Sequence, residues 1–95
     1  MKVVWTRPAK RDLEAIGDYI ARDNAKAAAQ VVIRVLDQAE LLTQHPHAGR
    51  AGRIAGTREL VVTNTPFVLP YRVREDCVEI LSVFHSSRKW PERFD

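Results

Sequence analysis

Between residues 6 and 44 the apolar side chains return every three or four positions. Ala9, Leu13, Ile16 and Ile20 form the first series, while Lys10, Arg11, Glu14, Asp18 and Arg22 occupy the rest of the circumference. That spacing predicts an amphipathic helix. Thr6 or Arg7 ahead of Pro8 marks its start, because proline's missing N–H costs nothing in a first helical turn. Asp23-Asn24 interrupts the series, and Asn24 can cap a second helix that runs to about Gln44, where His45-Pro46 stops it. This second helix has a narrow polar stripe of Gln30, Arg34, Asp37 and Gln44, and Val31, Val32, Ile33, Val35, Leu36, Ala39, Leu41 and Leu42 cover much of the remainder. Such a helix needs more than one apolar neighbour. The first helix supplies one contact and a sheet another; apolar area left over becomes a surface for a partner helix.

Beyond a Gly- and Pro-bearing loop, HPHAGRAGRIAG, the period changes to that of strands. Residues 58–63, 67–74 and 77–85 are strand candidates, joined by hairpin-length links, and residues 2–6 form a short strand at the start. Consecutive antiparallel pairing follows for the last three. Pro70 lies inside the second of them and cannot donate to a ladder, so a local irregularity is expected there. The order β-α-α-β-β-β predicts an α+β fold, a two-helix hairpin packed on an antiparallel sheet that the first strand joins. Ser86 to Phe94 is left as a short tail, at most a helical turn.

Composition narrows the class without naming a function. At 95 residues, 45% hydrophobic and 28% charged, the chain has the size of one domain, residues 1–95, with one core. The opening MKVVWTRPAKRD has too short an apolar run for a secretory signal or a membrane span, so a cytoplasmic location is expected. Cys77 is the sole cysteine, which excludes an intrachain disulfide, and its strand context predicts a small buried side chain. A net charge of +3 permits contact with nucleic acid without requiring it. The acid-free stretch GRAGRIAGTR concentrates Arg50, Arg53 and Arg58, as either a solvated loop or a phosphate contact. His45 and His47 have no cysteine or carboxylate cluster beside them and read as loop histidines, so no metal and no cofactor is expected.

One set of residues can carry chemistry. In the last strand Glu79, Leu81, Val83 and His85 share a face, and Arg58, Arg72 and His85 can meet across the hairpin. A ribonuclease needs a base for a 2′-hydroxyl, cations for the phosphate and an acid for the leaving oxygen. His85 can be base or acid, and Arg58, Arg72 or Arg88 can hold phosphate. Only Glu79 and Tyr71 are at hand as a second titrating partner, and both depend on register. The alternative is structural: His85 ends a strand on a backbone carbonyl, Arg58 is strand-surface charge, Trp5 is core, and Trp90 folds back over the sheet.

Trp5-Thr6, Ala9, Asp12-Leu13, Ile16, Tyr19-Ile20, Pro46, Gly49-Arg50, Gly56-Thr57-Arg58-Glu59-Leu60, Pro66-Phe67, Tyr71-Arg72-Val73, Glu79-Ile80-Leu81 and His85-x-x-Arg88-x-Trp90-Pro91 occur in an order that resembles the RelE/ParE superfamily of type II toxin–antitoxin toxins. The resemblance spans nearly the whole chain. It implies the same fold and a toxin neutralised by a cognate antitoxin, of ParD-like ribbon-helix-helix type with an amphipathic C-terminal tail, which would cover Ile20, Ile33, Leu36 and Leu41. RelE-like members cut messenger RNA on the ribosome; ParE-like members poison DNA gyrase. Arg58 matches the arginine that opens a family strand and His85 lies near the late histidine. However, Ser86 stands where a tyrosine would favour a nuclease, and no tyrosine follows to Asp95. The GTREL and HSSRKWP phrases look closer to ParE-like members. The expectation is therefore a gyrase inhibitor with Arg58, Arg72, His85, Arg88 and Trp90 toward the target, and the alternative is a ribosome-dependent endoribonuclease.

Overall fold

The computed structural model describes residues 1–87; Arg88 and Trp90, both expected near the target, and most of the tail lie outside the described residues. The elements are β1 (Lys2–Trp5), α1 (Arg7–Ala21), α2 (Ala25–Glu40), β2 (Arg50–Ala51), β3 (Arg58–Val61), β4 (Phe67–Val73), β5 (Cys77–Ile80) and β6 (Phe84–His85), with a 3-10 turn at Leu41–Thr43. Local chemistry sets both helix starts. The Thr6 hydroxyl accepts from the Ala9 N–H at 3.3 Å and donates to the Ile80 carbonyl at 2.7 Å, so one side chain caps α1 and ties it to the sheet. Asn24 Oδ1 accepts from the Ala27 N–H at 3.0 Å at the start of α2. Each cap stabilises by about 1 kcal/mol.

The strands lie in the order β1-β5-β4-β3-β2, with β6 also paired to β4. The three hairpin-linked strands pair antiparallel as their spacing predicts. The first strand joins at the edge, parallel to β5, which makes the sheet mixed. A two-residue strand, β2, lies inside the segment read as loop, opposite Arg58 and Glu59.

Pairing registers assign the faces. Val3, Trp5, Leu60, Phe67, Leu69, Tyr71, Val78 and Ile80 face the helices and pack with Ala9, Val35, Ala39 and Leu42. Leu42, fully buried, contributes about 2–3 kcal/mol by area. Cys77 is on the opposite face and only half-buried, because the helix-facing positions of β5 are Val78 and Ile80; the expected buried thiol is corrected.

The long last strand of the sequence pattern is broken. Ile80 pairs with Tyr71 and Phe84 with Val68, so Leu81, Ser82 and Val83 span an interval that Leu69 and Pro70 fill on β4. One extra residue is a bulge. It falls beside Pro70, where an irregularity was expected, and there the Leu81 N–H donates to the Pro70 carbonyl at 2.9 Å. The Asp12 carboxylate of α1 holds the bulge: Oδ2 accepts from Ser82 Oγ at 2.8 Å and from the Val83 N–H at 3.1 Å.

Candidate functional site

An inserted residue inverts alternation, and His85 shows the result. It pairs with Phe67, on the helix side of the sheet, not on the Glu79 side that an unbroken strand would give it. Its ring meets the Phe67 ring edge-on, with centroids 5.6 Å apart. Nδ1 accepts from the Ser87 N–H at 3.1 Å, with Ser87 Oγ 2.7 Å away. In the neutral ring this puts the proton on Nε2 and occupies the nitrogen that a base would use.

Arg58 faces the helices beside Tyr71, four positions along β4 from Phe67. At strand rise that separation is roughly 13 Å. Arg72 pairs with Glu79 and lies on the opposite face. The expected meeting of Arg58, Arg72 and His85 does not occur.

Arg58 has other work. Its Nη1 donates to the Gly49 carbonyl at 2.9 Å and the His47 carbonyl at 3.3 Å. Tyr71, buried beside it, accepts from the Gly49 N–H at 2.8 Å and donates to the Pro46 carbonyl at 2.8 Å. Together they clamp residues 46–49 onto the sheet, and surface charge is corrected to a structural anchor. Burial pushes the Tyr71 phenol up from its ordinary value, against smaller opposing effects of the Gly49 N–H and the Arg58 guanidinium. The unfolded chain therefore releases this proton first as pH passes about 10, and the stability Tyr71 confers, intact below that, falls as pH rises through its folded value. Urea unfolding at about pH 9 and about pH 11 is expected to show a decline that Tyr71→Phe reduces; equal declines would count against it.

On the face away from the helices, cations are paired with carboxylates. Arg50 Nε and Nη2 donate to Glu59 Oε1 at 3.0 and 2.8 Å, and the Arg53 N–H donates to Oε2 at 3.3 Å. Glu59 is 3% exposed, so this pair is screened little by solvent on the carboxylate side. Arg74 Nε donates to Glu79 Oε1 at 2.9 Å in a more exposed pair. Arg72 is half-buried between these pairs.

Apolar surface is concentrated in a groove and along α2, among other exposed positions. Ile16, Ile20, Val31, Phe67 and Val83 line a groove of about 910 Å³ between α1 and β6, with Asp12, Arg22 and His85 also on its walls. The outer side of the hairpin carries Ile33, 57% exposed, and Leu36, 43% exposed. Leu41, 52% exposed, lies at the end of α2. The excess apolar circumference of α2 is thus uncovered by the sheet. Among the described residues no three of His, Cys, Asp and Glu are placed to hold a metal, and no helix is long and apolar enough to cross a membrane.

A helical hairpin on a small mixed sheet is also the architecture of two solved structures. A chain of the chromosomal ParDE TA system from P. aeruginosa superposes with a TM-score of 0.81 at 33% identity, covering 90% of this chain and 95% of that one. A chain of the Mycobacterium tuberculosis toxin–antitoxin complex RelBE2 shares the fold, with a TM-score of 0.65 at 24% identity and coverage of 88% and 95%. In sequence, the chain is 45% identical over 91 residues to the Sinorhizobium fredii protein Y4kP, covering 96% of this chain and 94% of that one. It is 39% identical over 87 residues to toxin RelE2 of Caulobacter vibrioides, covering 92% and 97%. The family model for the ParE toxin of the type II toxin–antitoxin system parDE matches residues 3–90. The chain belongs to this ParE toxin family, within the RelE/ParE superfamily.

Sequence reasoning missed Asp12 as an anchor and treated Tyr71 only as a possible acid or base. Ser82, the polar break in an apolar run, was the available signal for Asp12, but nothing in the sequence pairs the two.

Proposed function

We propose that this type II toxin arrests growth by inhibiting DNA gyrase in the cytoplasm, and that a ParD-like antitoxin neutralises it. The observation that carries the reading is the dispersal of the nuclease candidates. Arg58 is committed to two loop carbonyls, Arg72 lies on the other face, and His85 sits roughly 13 Å along the sheet from Arg58 with Nδ1 already bonded. General acid–base cleavage of RNA needs such groups within hydrogen-bond reach of one phosphate. An inhibitor needs a shaped surface instead. The match to the ParE family model supports the same direction. Arg72 and the His85 end of the groove are the target-facing residues of this reading, and Ile20, Ile33, Leu36 and Leu41 the antitoxin-facing ones.

A paired assay tests it. Purified toxin is expected to block supercoiling by gyrase while leaving messenger RNA on translating ribosomes intact. Codon-periodic cleavage with unaffected gyrase would instead establish the ribosome-dependent endoribonuclease.

A further inference from the structure

Besides the side it buries, α2 presents an ordered stripe to solvent. Lys26, Ala29, Ile33 and Glu40 recur at three-, four- and seven-residue steps and share one face, with Leu36 along one flank and Gln30 and Asp37 along the other. All are exposed, opposite the buried Ala28, Val35 and Ala39, and Ile33 and Leu36 form the apolar centre.

The charges of this stripe work against their own helix. Lys26 stands in the first turn of α2, which holds no acidic residue, and Glu40 in the last, which holds no basic one. A cation at a helix N-terminus and an anion at its C-terminus both oppose the dipole. Local partners do not offset this. Asp23, three residues before Lys26, precedes the helix, and among the described residues neither Lys26 nor Glu40 forms an ion pair. Asp37, three residues before Glu40, carries the same sign and has Arg34 as its own neighbour of opposite charge.

The pattern is its own complement when reversed. Lys26 lies two turns before Ile33 and Glu40 two turns after it, so a two-fold axis at Ile33 sets each charge against its opposite on a second, antiparallel α2. The same axis lays Ile33 on the partner's Ile33, seats Leu36 over the small side chain of the partner's Ala29, and brings Gln30 beside the partner's Asp37. Arg34 falls at the rim, in solvent. A parallel pair would instead set Lys26 on Lys26 and Glu40 on Glu40.

We propose that the chain forms a homodimer through α2, two copies antiparallel about a two-fold axis at Ile33. Lys26 of each copy meets Glu40 of the other and the negative end of its helix, so charges that oppose the dipole within one chain become favourable between two. One helix face is a small interface, which sets a reversible dimer with a Kd on the order of 10–100 μM. Ile33 and Leu36 are also antitoxin-facing residues of the proposed function; under that reading alone, dimer and antitoxin complex exclude each other. The dimer itself does not depend on it.

Sedimentation equilibrium of the purified chain from about 5 to about 500 μM brackets that Kd. The mass is expected to rise from 10.8 kDa toward twice that value. Lys26→Glu and Glu40→Lys should each raise Kd about 10-fold, because the dimer contains the pair twice. An equimolar mixture of the two variants should associate within about threefold of the unsubstituted chain, since both pairs again join opposite charges. Positions 26 and 40 are about 20 Å apart along one helix, so only contact between chains can produce that rescue. Ile33→Asp should raise Kd about 100-fold or more, with thermal melts showing that the fold is kept; the charge variants decide the matter if it is not. A mass of 10.8 kDa at every concentration overturns the proposal and leaves this face to the antitoxin. A dimer that folded Ile33→Asp leaves intact, or charge variants that the mixture does not rescue, places the contact elsewhere or in another direction and also overturns it.

Discussion

Gly49→Ala is expected to destabilise the chain by about 3 kcal/mol, the sum of overpacking and of buried polar groups left unpaired. A Cβ at position 49 would lie 2.7 Å from the Glu59 carbonyl oxygen, 2.7 Å from Tyr71 Cε1 and 2.8 Å from the Tyr71 hydroxyl. The first of these atoms is backbone of β3, so a side-chain rotation cannot clear it. To fit the methyl, the loop must lift from the sheet, and both the Tyr71 bridge and the Arg58 bond to the Gly49 carbonyl stretch with it. With a urea slope on the order of 1.5 kcal/mol/M, the unfolding midpoint should fall by about 2 M. Tyr71→Phe alone should cost about 1–3 kcal/mol through the orphaned Gly49 N–H and Pro46 carbonyl. In the double variant the effects should sum to less than their total, because the hydroxyl contact disappears with the hydroxyl. A midpoint unchanged by Gly49→Ala would mean that residues 46–49 are not clamped as described.

Asp12→Ala removes the acceptor of two hydrogen bonds at once and is expected to cost about 3 kcal/mol, since bonds to a charged acceptor are worth roughly 1.5–3 kcal/mol each. In a domain of this size that lowers the melting temperature by about 10 °C or more. Asp12→Asn keeps an oxygen in place and should cost only about 1 kcal/mol. Hydrogen exchange adds a local readout: the Val83 amide should lose protection before the amides of β3 and β4, because Asp12 is its bond to α1. Equal stability of Ala and Asn variants would remove the carboxylate from its role as anchor of the bulge.

Much of the scaffold was legible because it is written in short-range periods. Ala9, Leu13, Ile16 and Ile20 lie on the buried or half-buried side of α1, and the Asn24 cap stands where the break in periodicity put it. The hairpin between β3 and β4 turns through Asn64, with a φ of 62°, as a residue tolerant of the left-handed region permits. Pro70 announced an irregularity that the bulge beside it supplies. The surplus of apolar positions on α2 was also readable, and Ile33, Leu36 and Leu41 are the exposed part of it.

The candidate site was less legible. Arg58 follows a glycine-rich loop and precedes Glu59, a pattern that reads as surface charge, yet register turns it inward to two carbonyls of a loop about ten residues earlier. Lys10 and Arg11 read as part of the polar circumference of a helix and Arg7 as a candidate for its start; only the packing of α2 beside them makes a cleft.

By itself the sequence determined the two helices, their caps, the hairpin strands and the ordered set of residues that resembles the RelE/ParE toxins, because each depends on neighbours within a few positions. Tertiary structure alone decided which face His85 occupies. Alternation carries a side chain's direction only along an unbroken strand, and here one extra residue inverts it, held by an Asp12 carboxylate 70 positions from Ser82. That inversion places His85 against Phe67 in the groove beside α1 and away from Arg72, so a set of residues that looked catalytic in one dimension is divided between two faces in three.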